Sequence, residues 1–258
     1  MITSAYIIAG RDLVCGRYVS PEEAEIERFW HIGRHSPNPF ARRFNVAPTQ
    51  PIPILRLDRS SGEIEVVKAR WGLIPNWWKD ARPPRTSHNA RAEEAATKPM
   101  WKVPLGRSRC LIPAVGWYEW KLLEQADPET GEIKEVKQPH FFHLPDDQLF
   151  AFAGIMAMWK AADAEAPQLS AALFTQDSIG PSAQVHERMP IILASEMEKV
   201  WLDQDITDPG EIMALARKYA VIEVRHHPVS SRVSSARNDD KELVEPVNAG
   251  ALETVKRG

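Results

Sequence analysis

The hydrophobic pattern changes period several times along the chain. Ser20-Pro21-Glu22-Glu23 reads as a helix start, with serine as N-cap and proline in the first turn. The apolar positions Ile26, Phe29 and Trp30 continue it. After prolines at 37 and 39, Arg42 to Thr49 reads as a strand entering a turn. Pro51–Leu57 and Glu63–Lys68 form two β-like runs joined at Arg59-Ser60-Ser61-Gly62, a hairpin pattern. Asn89-Ala90-Arg91-Ala92-Glu93 reads as the opening of a helix, with Asn89 as a candidate N-cap. Arg107–Ala114 and Gly116–Trp120 are strand-like. Glu124–Gln138 is polar with two turn signals and predicts an exposed β-hairpin. Strands follow at Pro139–Leu144, Leu149–Trp159 and Leu169–Thr175. Helices are predicted from Ser195, by a capping pattern, and over Pro209–Tyr219. Val221–Val224 reads as a strand and His226–Ser230 as a turn.

Many short strands, few helices and no alternation of strand and helix imply a largely antiparallel, barrel-like or sandwich core with peripheral helices. No internal repeat, domain linker, P-loop or dinucleotide-binding glycine pattern interrupts it. The chain has 258 residues, enough for one sizeable core. Its 43% hydrophobic and 26% charged residues are those of a soluble globular protein. No apolar run reaches the length of a membrane span. The N-terminal patch Ala5–Ala9 lacks the basic flank of a signal peptide. Two cysteines, Cys15 and Cys110, suggest neither a disulfide framework nor a metal cluster, so a reducing cytoplasm is expected. A net charge of -3 argues against coating nucleic acid indiscriminately, but allows a local basic groove.

Chemistry-bearing residues gather in a few stretches. In Gly116-Trp117-Tyr118-Glu119-Trp120, alternation puts Trp117 and Glu119 on one face, with Tyr118 and Trp120 on the other. A carboxylate in an apolar wall acquires a raised pKa, which suits proton transfer near neutral pH; the plainer alternative is an edge-strand glutamate. His186, at the mouth of an apolar strand, is either a proton shuttle or a solvent-facing loop histidine. Trp77-Trp78-Lys79 suits stacking on unpaired bases, or else forms a lid over the core. Arg42 and Arg43 could meet phosphates or simply flank a strand. Cys110, beside Leu111 and Ile112, reads as an inert core thiol.

Taken together, these stretches resemble a known family. Cys15-Gly16-Arg17-Tyr18, Asn45-Val46-Ala47-Pro48, Trp71-Gly72-Leu73-Ile74-Pro75, Asn89-Ala90-Arg91-Ala92-Glu93, Cys110-Leu111-Ile112-Pro113-Ala114, Gly116-Trp117-Tyr118-Glu119-Trp120, His186-Glu187-Arg188-Met189-Pro190 and His227-Pro228-Val229-Ser230 occur in that order. The set is similar to the SOS response-associated peptidase (SRAP) family and covers about Cys15 to Pro246. The resemblance implies a single-domain α+β protein with a mainly antiparallel barrel-like β core and peripheral helices. It places the domain at 15–247, between an N-terminal extension, 1–14, and a loose tail, 248–258. It implies an abasic-site sensor that binds single-stranded DNA, forms a covalent thiazolidine crosslink through an N-terminal cysteine, and protects the lesion. Cys15, Asn89, Glu119 and His186 are the implied catalytic residues. Arg17, Asn45, Trp77, Trp78, Arg91 and Thr175 are implied to line the DNA path. No metal, cofactor or membrane is implied. The expected protein is a bacterial cytoplasmic monomer, at the nucleoid when bound to DNA. The family's name adds peptidase or hydrolase activity, and lyase-type activity is a further expectation.

One feature departs from the family pattern. Cys15 follows Val14, so its nitrogen is an amide and cannot form an imine. Translation could start at position 14 from a GTG codon, with the methionine then removed. The Val14–Cys15 bond could instead be cleaved by the protein itself, or the extension could persist and prevent crosslinking. Two other functions stay open: a cysteine peptidase with His186 as base, and a non-covalent single-strand reader.

Overall fold

The computed structural model describes residues 15–33, 39–80, 82–84, 86–126, 130–162 and 164–248. The expectations for 1–14 and for 249–258 lie outside the described residues. In chain order the strands are β1 (Arg17–Ser20), β2 (Arg43–Val46), β3 (Pro51–Leu57), β4 (Ile64–Trp71), β5 (Asn89–Arg91), β6 (Arg109–Ala114), β7 (Gly116–Ala126), β8 (Ile133–His143), β9 (Phe150–Trp159), β10 (Gln168–Asp177), β11 (Arg188–Pro190), β12 (Ile192–Leu193) and β13 (Arg225–Pro228). The helices are α1 (Glu23–Trp30), α2 (Ala92–Ala95), α3 (Pro99–Arg107), α4 (Ser195–Leu202) and α5 (Pro209–Lys218).

Five strands close a ring. β3 pairs with β4, β4 with β10, β10 with β9, β9 with β6, and β6 with β3. All these pairings are antiparallel except β4–β10. Alternate side chains of a strand face opposite sides, and the two sides fill two cores. Ile52, Ile54, Cys110, Ile112, Phe150, Phe152, Ala171 and Leu173 pack in one. Leu55, Leu111, Ala153, Ile155, Ala172 and Phe174 pack in the other, which is completed by Ile26, Ala95, Trp101, Trp201 and Ile212 from the five helices. Each fully buried large side chain contributes about 1.5–3 kcal/mol relative to its exposed state.

A second, wholly antiparallel sheet has the order β13-β8-β7-β1-β2. One face supplies Tyr18, Val46, Trp117 and Phe142 to the barrel's inner core. Trp117 stacks on Phe142 at 4.9 Å, and Tyr18 meets Trp71 edge-on at 5.3 Å. The other face carries Val19, Tyr118 and Phe141 beneath Val229, Val233 and Leu243. Val115 alone separates β6 from β7, so the chain passes from barrel to sheet within one residue. Gly116 follows because a Cβ there would lie 2.3 Å from the Phe142 carbonyl oxygen. This corner fixes where Glu119 can stand.

The architecture is α+β with the barrel-like, mainly antiparallel core that the pattern predicts. The β3–β4 and β7–β8 hairpins are present, and the second leaves Leu122 and Ile133 exposed. Several local expectations are corrected. Ser20 belongs to β1, paired with Arg43, so the α1 cap shifts to Glu22, in a capping box with Glu25. Asn89 does not cap a helix: its backbone pairs in parallel with β10, and α2 begins only at Ala92. Ser195 is the first residue of α4 rather than its cap. Val221–Val224 forms no strand, having only a neighbouring bridge at Ala220, whereas His226–Pro228 pairs with β8 instead of turning. The helix α3 is unannounced in the sequence, since Pro104 lies inside it.

Candidate active site

Cys15 precedes β1 with a φ of 46°, a left-handed conformation uncommon for any residue but glycine. It is 2% exposed. Its backbone N–H and its thiol both donate to the same atom, Glu119 Oε1, at 2.9 and 2.6 Å. Its carbonyl accepts from Asn89 Nδ2 at 3.4 Å. Glu119, also 2% exposed, comes from β7 on the face it shares with Trp117, as alternation predicts. Asn89 arrives from β5, held opposite Leu173 of β10. Three distant segments thus meet at one cysteine.

Burial pushes the Glu119 carboxyl up to about 8, against the pull of the two hydrogen bonds from Cys15. Burial raises the Cys15 thiol well above its ordinary value, and the Glu119 charge and hydrogen bond add to this; the Arg188 charge opposes it. The resting thiol is therefore protonated, and Glu119 is poised to gain or lose a proton near neutral pH.

Arg188 is a site residue that sequence reasoning passed over. On β11 it donates to Asp177 Oδ1 (2.6 Å), Glu93 Oε2 (3.0 Å) and the Thr175 carbonyl (2.8 Å) and hydroxyl (3.3 Å). The sequence signal was its place in His186-Glu187-Arg188-Met189-Pro190, but its carboxylate partners lie far apart along the chain. Thr175 is buried beneath this guanidinium. His186 is half-buried, and its Nδ1 accepts from the Arg188 backbone N–H at 3.0 Å. It therefore reaches the cluster through Arg188.

The other predicted residues divide in two. Asn45 is 0% exposed, and its Nδ2 donates to the carbonyls of Val233, Ser235 and Asn238 at 3.1, 2.9 and 2.9 Å. Its Oδ1 accepts from Arg17 Nη1 at 3.1 Å, and Arg17 also donates to the Val233 and Ser234 carbonyls. This pair clips residues 233–238 onto β1 and β2. Trp77, by contrast, is 53% exposed, and Arg91 is exposed. Trp78 is half-buried, donates to the Arg82 carbonyl at 3.0 Å, and sits 6.1 Å from Trp77 between ring centres. Among the described residues, no group of three His, Cys, Asp or Glu side chains is placed to hold a metal ion, and no helix is long and apolar enough to cross a membrane.

The pattern of the SOS response associated peptidase (SRAP) family matches residues 14–236. The chain is 36% identical over 239 residues to the abasic site processing protein YoqW of Bacillus subtilis, covering 90% of this chain and 99% of that one. It is 29% identical over 253 residues to the abasic site processing protein HMCES of Gallus gallus, covering 87% and 70%. A crystal structure of a protein from Bacteroides thetaiotaomicron superposes with a TM-score of 0.70 at 22% identity, covering 91% of this chain and all of that one, which establishes likeness of fold.

Proposed function

The chain belongs to the SRAP family, and from that premise we propose that it processes abasic sites, capturing the lesion aldehyde in single-stranded DNA covalently at Cys15. The observation that carries this is the convergence of the Cys15 nitrogen and sulfur on one buried carboxylate oxygen. A 1,2-aminothiol needs both atoms for this chemistry. The amine adds to the open-chain aldehyde and loses water to give an imine; the thiol then adds across the C=N bond and closes a thiazolidine. Free α-amines and thiols ionise near ~8 and ~8.5, so a carboxyl at about 8 can trade protons with either.

The proposal requires Cys15 to be the N-terminus of the working protein, through initiation at Val14 or cleavage of the Val14–Cys15 bond. The family match begins at Val14. Asn89 would hold the Cys15 carbonyl and so aim the amine, while His186 would move the proton that opens the sugar ring. Exposed Arg91 and Trp77 offer a phosphate contact and a stacking surface for the flanking strand.

The test is intact-mass analysis after mixing natively expressed protein with single-stranded DNA bearing one abasic site. The expected product has the mass of the DNA plus chain 15–258 less one water. Failure of the DNA to become covalently attached, or attachment to a chain that retains residues 1–14, overturns the proposal.

A further inference from the structure

The sheet face that carries Glu119 also carries two histidines, one directly across from it and one diagonal to the first. Glu119 on β7 stands directly opposite His140 on β8. Directly opposed residues of an antiparallel pair share a face, with Cβ atoms about 5 Å apart. One strand further, His226 on β13 faces Phe142, and its Nδ1 lies 3.1 Å from Nδ1 of His140. The two imidazoles meet edge-on, 5.1 Å between centres. The order β13-β8-β7 thus places His226, His140 and Glu119 on one face in sequence, and Cys15, just before β1, is bonded to Glu119. The series runs from a half-buried histidine to a buried nucleophile.

We propose that His140 and His226 form a proton relay between Glu119 and solvent, acting through Glu119 on capture at Cys15. The inference rests on the covalent-capture reading above. Capture starting from an ammonium form has a proton to discard. Of the protons on the cysteine nitrogen and sulfur, one stays on the ring nitrogen and two leave in the water that carries off the aldehyde oxygen. The last must reach bulk solvent, and Glu119 is itself buried.

The Nδ1–Nδ1 contact suits a relay. A hydrogen bond between two ring nitrogens needs N–H on one and a lone pair on the other, so neutral rings hold opposite tautomers. With the proton on His140 Nδ1, its Nε2 is free to take a proton from Glu119. Nδ1–H then passes to His226 Nδ1, and His226 releases its Nε2 proton. The charged and titratable groups that act on the pair are Lys121 on β7 and His227 on β13, with Glu119 directly across the strand pair from His140. Burial, His226, Lys121 and His227 hold His140 at about 4, and burial, Lys121 and His227 lower His226. Rings so weakly basic carry a proton without storing it, and Glu119 remains the resting proton site.

The experiment follows crosslinking rates of wild type, His226→Ala, His140→Phe and Glu119→Gln from pH 5.5 to 9, with and without free imidazole. Thermal unfolding selects the folded variants. His226→Ala and His140→Phe should slow capture roughly tenfold, an indirect share of the usual general acid–base effect. The loss should be deepest at low pH, where the amine is protonated, and free imidazole should restore His226→Ala but not Glu119→Gln. Wild-type rates throughout the pH range in either folded histidine variant overturn the relay. If wild-type protein forms no adduct, the capture reading has failed instead. The imidazole ¹⁵N spectra then decide the relay: Glu119→Gln should shift both His140 and His226 resonances, and unmoved resonances overturn it.

Discussion

Cys15 and Cys110 are both free, buried thiols, and burial raises the pKa of each. Their surroundings differ in kind. Cys110 lies within β6, its backbone paired with Gly154 of β9, and a Cβ on that glycine would come within 3.0 Å of its sulfur. It fills the barrel among Ile112, Phe152 and Leu173, and desolvation alone sets its acidity. Cys15 stands just outside the ladder, with a left-handed backbone and a carboxylate that takes hydrogen bonds from both its nitrogen and its sulfur. Desolvation makes a thiol inert; a titrating partner and a backbone freed from the sheet make it usable.

The largest effect expected from breaking this contrast is at Cys15 itself. Cys15→Ala removes the sulfur that closes the ring, so adducts stable to denaturing gels should fall by more than ~10⁴-fold, beyond the usual loss of one proton-transfer group. The fold should survive, because a small side chain just outside the sheet's ladder contributes on the order of 1 kcal/mol.

Glu119→Gln keeps the shape and removes the proton exchange, so capture should slow by about 10²–10⁴-fold. Stability should move the other way. The folded-state value of Glu119, about 8, lies above its ordinary 4.5. The folded protein therefore holds this proton more tightly than the unfolded chain, a contribution fully present below pH 4.5 and lost as pH rises through 8. Glutamine carries no such loss. At pH 9 the variant should be more stable by on the order of 1–3 kcal/mol, and at pH 4 nearly equal to wild type. Urea unfolding at the two pH values measures the difference. Equal stability at both would mean that Glu119 is not desolvated as its burial implies.

How much of this contrast was legible beforehand follows from the range of each interaction. The pairing of Trp117 with Glu119 on one face is a period-two pattern within five residues, and the sequence carries it openly. The inert setting of Cys110 is likewise local, written in Leu111 and Ile112. The convergence on Cys15 is not local: Glu119 lies 104 residues away and Asn89 lies 74, so only the joint occurrence of motifs pointed to it. Locally Asn89 reads only as a candidate helix cap, because its strand exists only through parallel pairing with β10, a partner that no hairpin pattern reveals. Arg188 and the His140–His226 pair escaped for the same reason, since their meaning depends on cross-strand register.

The smallest effect tests the other half of the comparison. Cys110→Ala removes one sulfur from the barrel interior, at a point already opened by Gly154. Its neighbours are barrel strands that pair on both edges and cannot collapse far, so the space should remain as a small cavity. The cost should be about 1 kcal/mol, comparable to deleting a buried methyl group, read as a lower urea midpoint with an unchanged slope. Capture of abasic DNA should proceed at the wild-type rate, because no titrating group shares a proton with this sulfur. A Cys110→Ala protein that is folded yet crosslinks as poorly as Cys15→Ala would show that burial without a carboxylate partner is enough to make a thiol matter, and the contrast drawn between the two cysteines would be wrong.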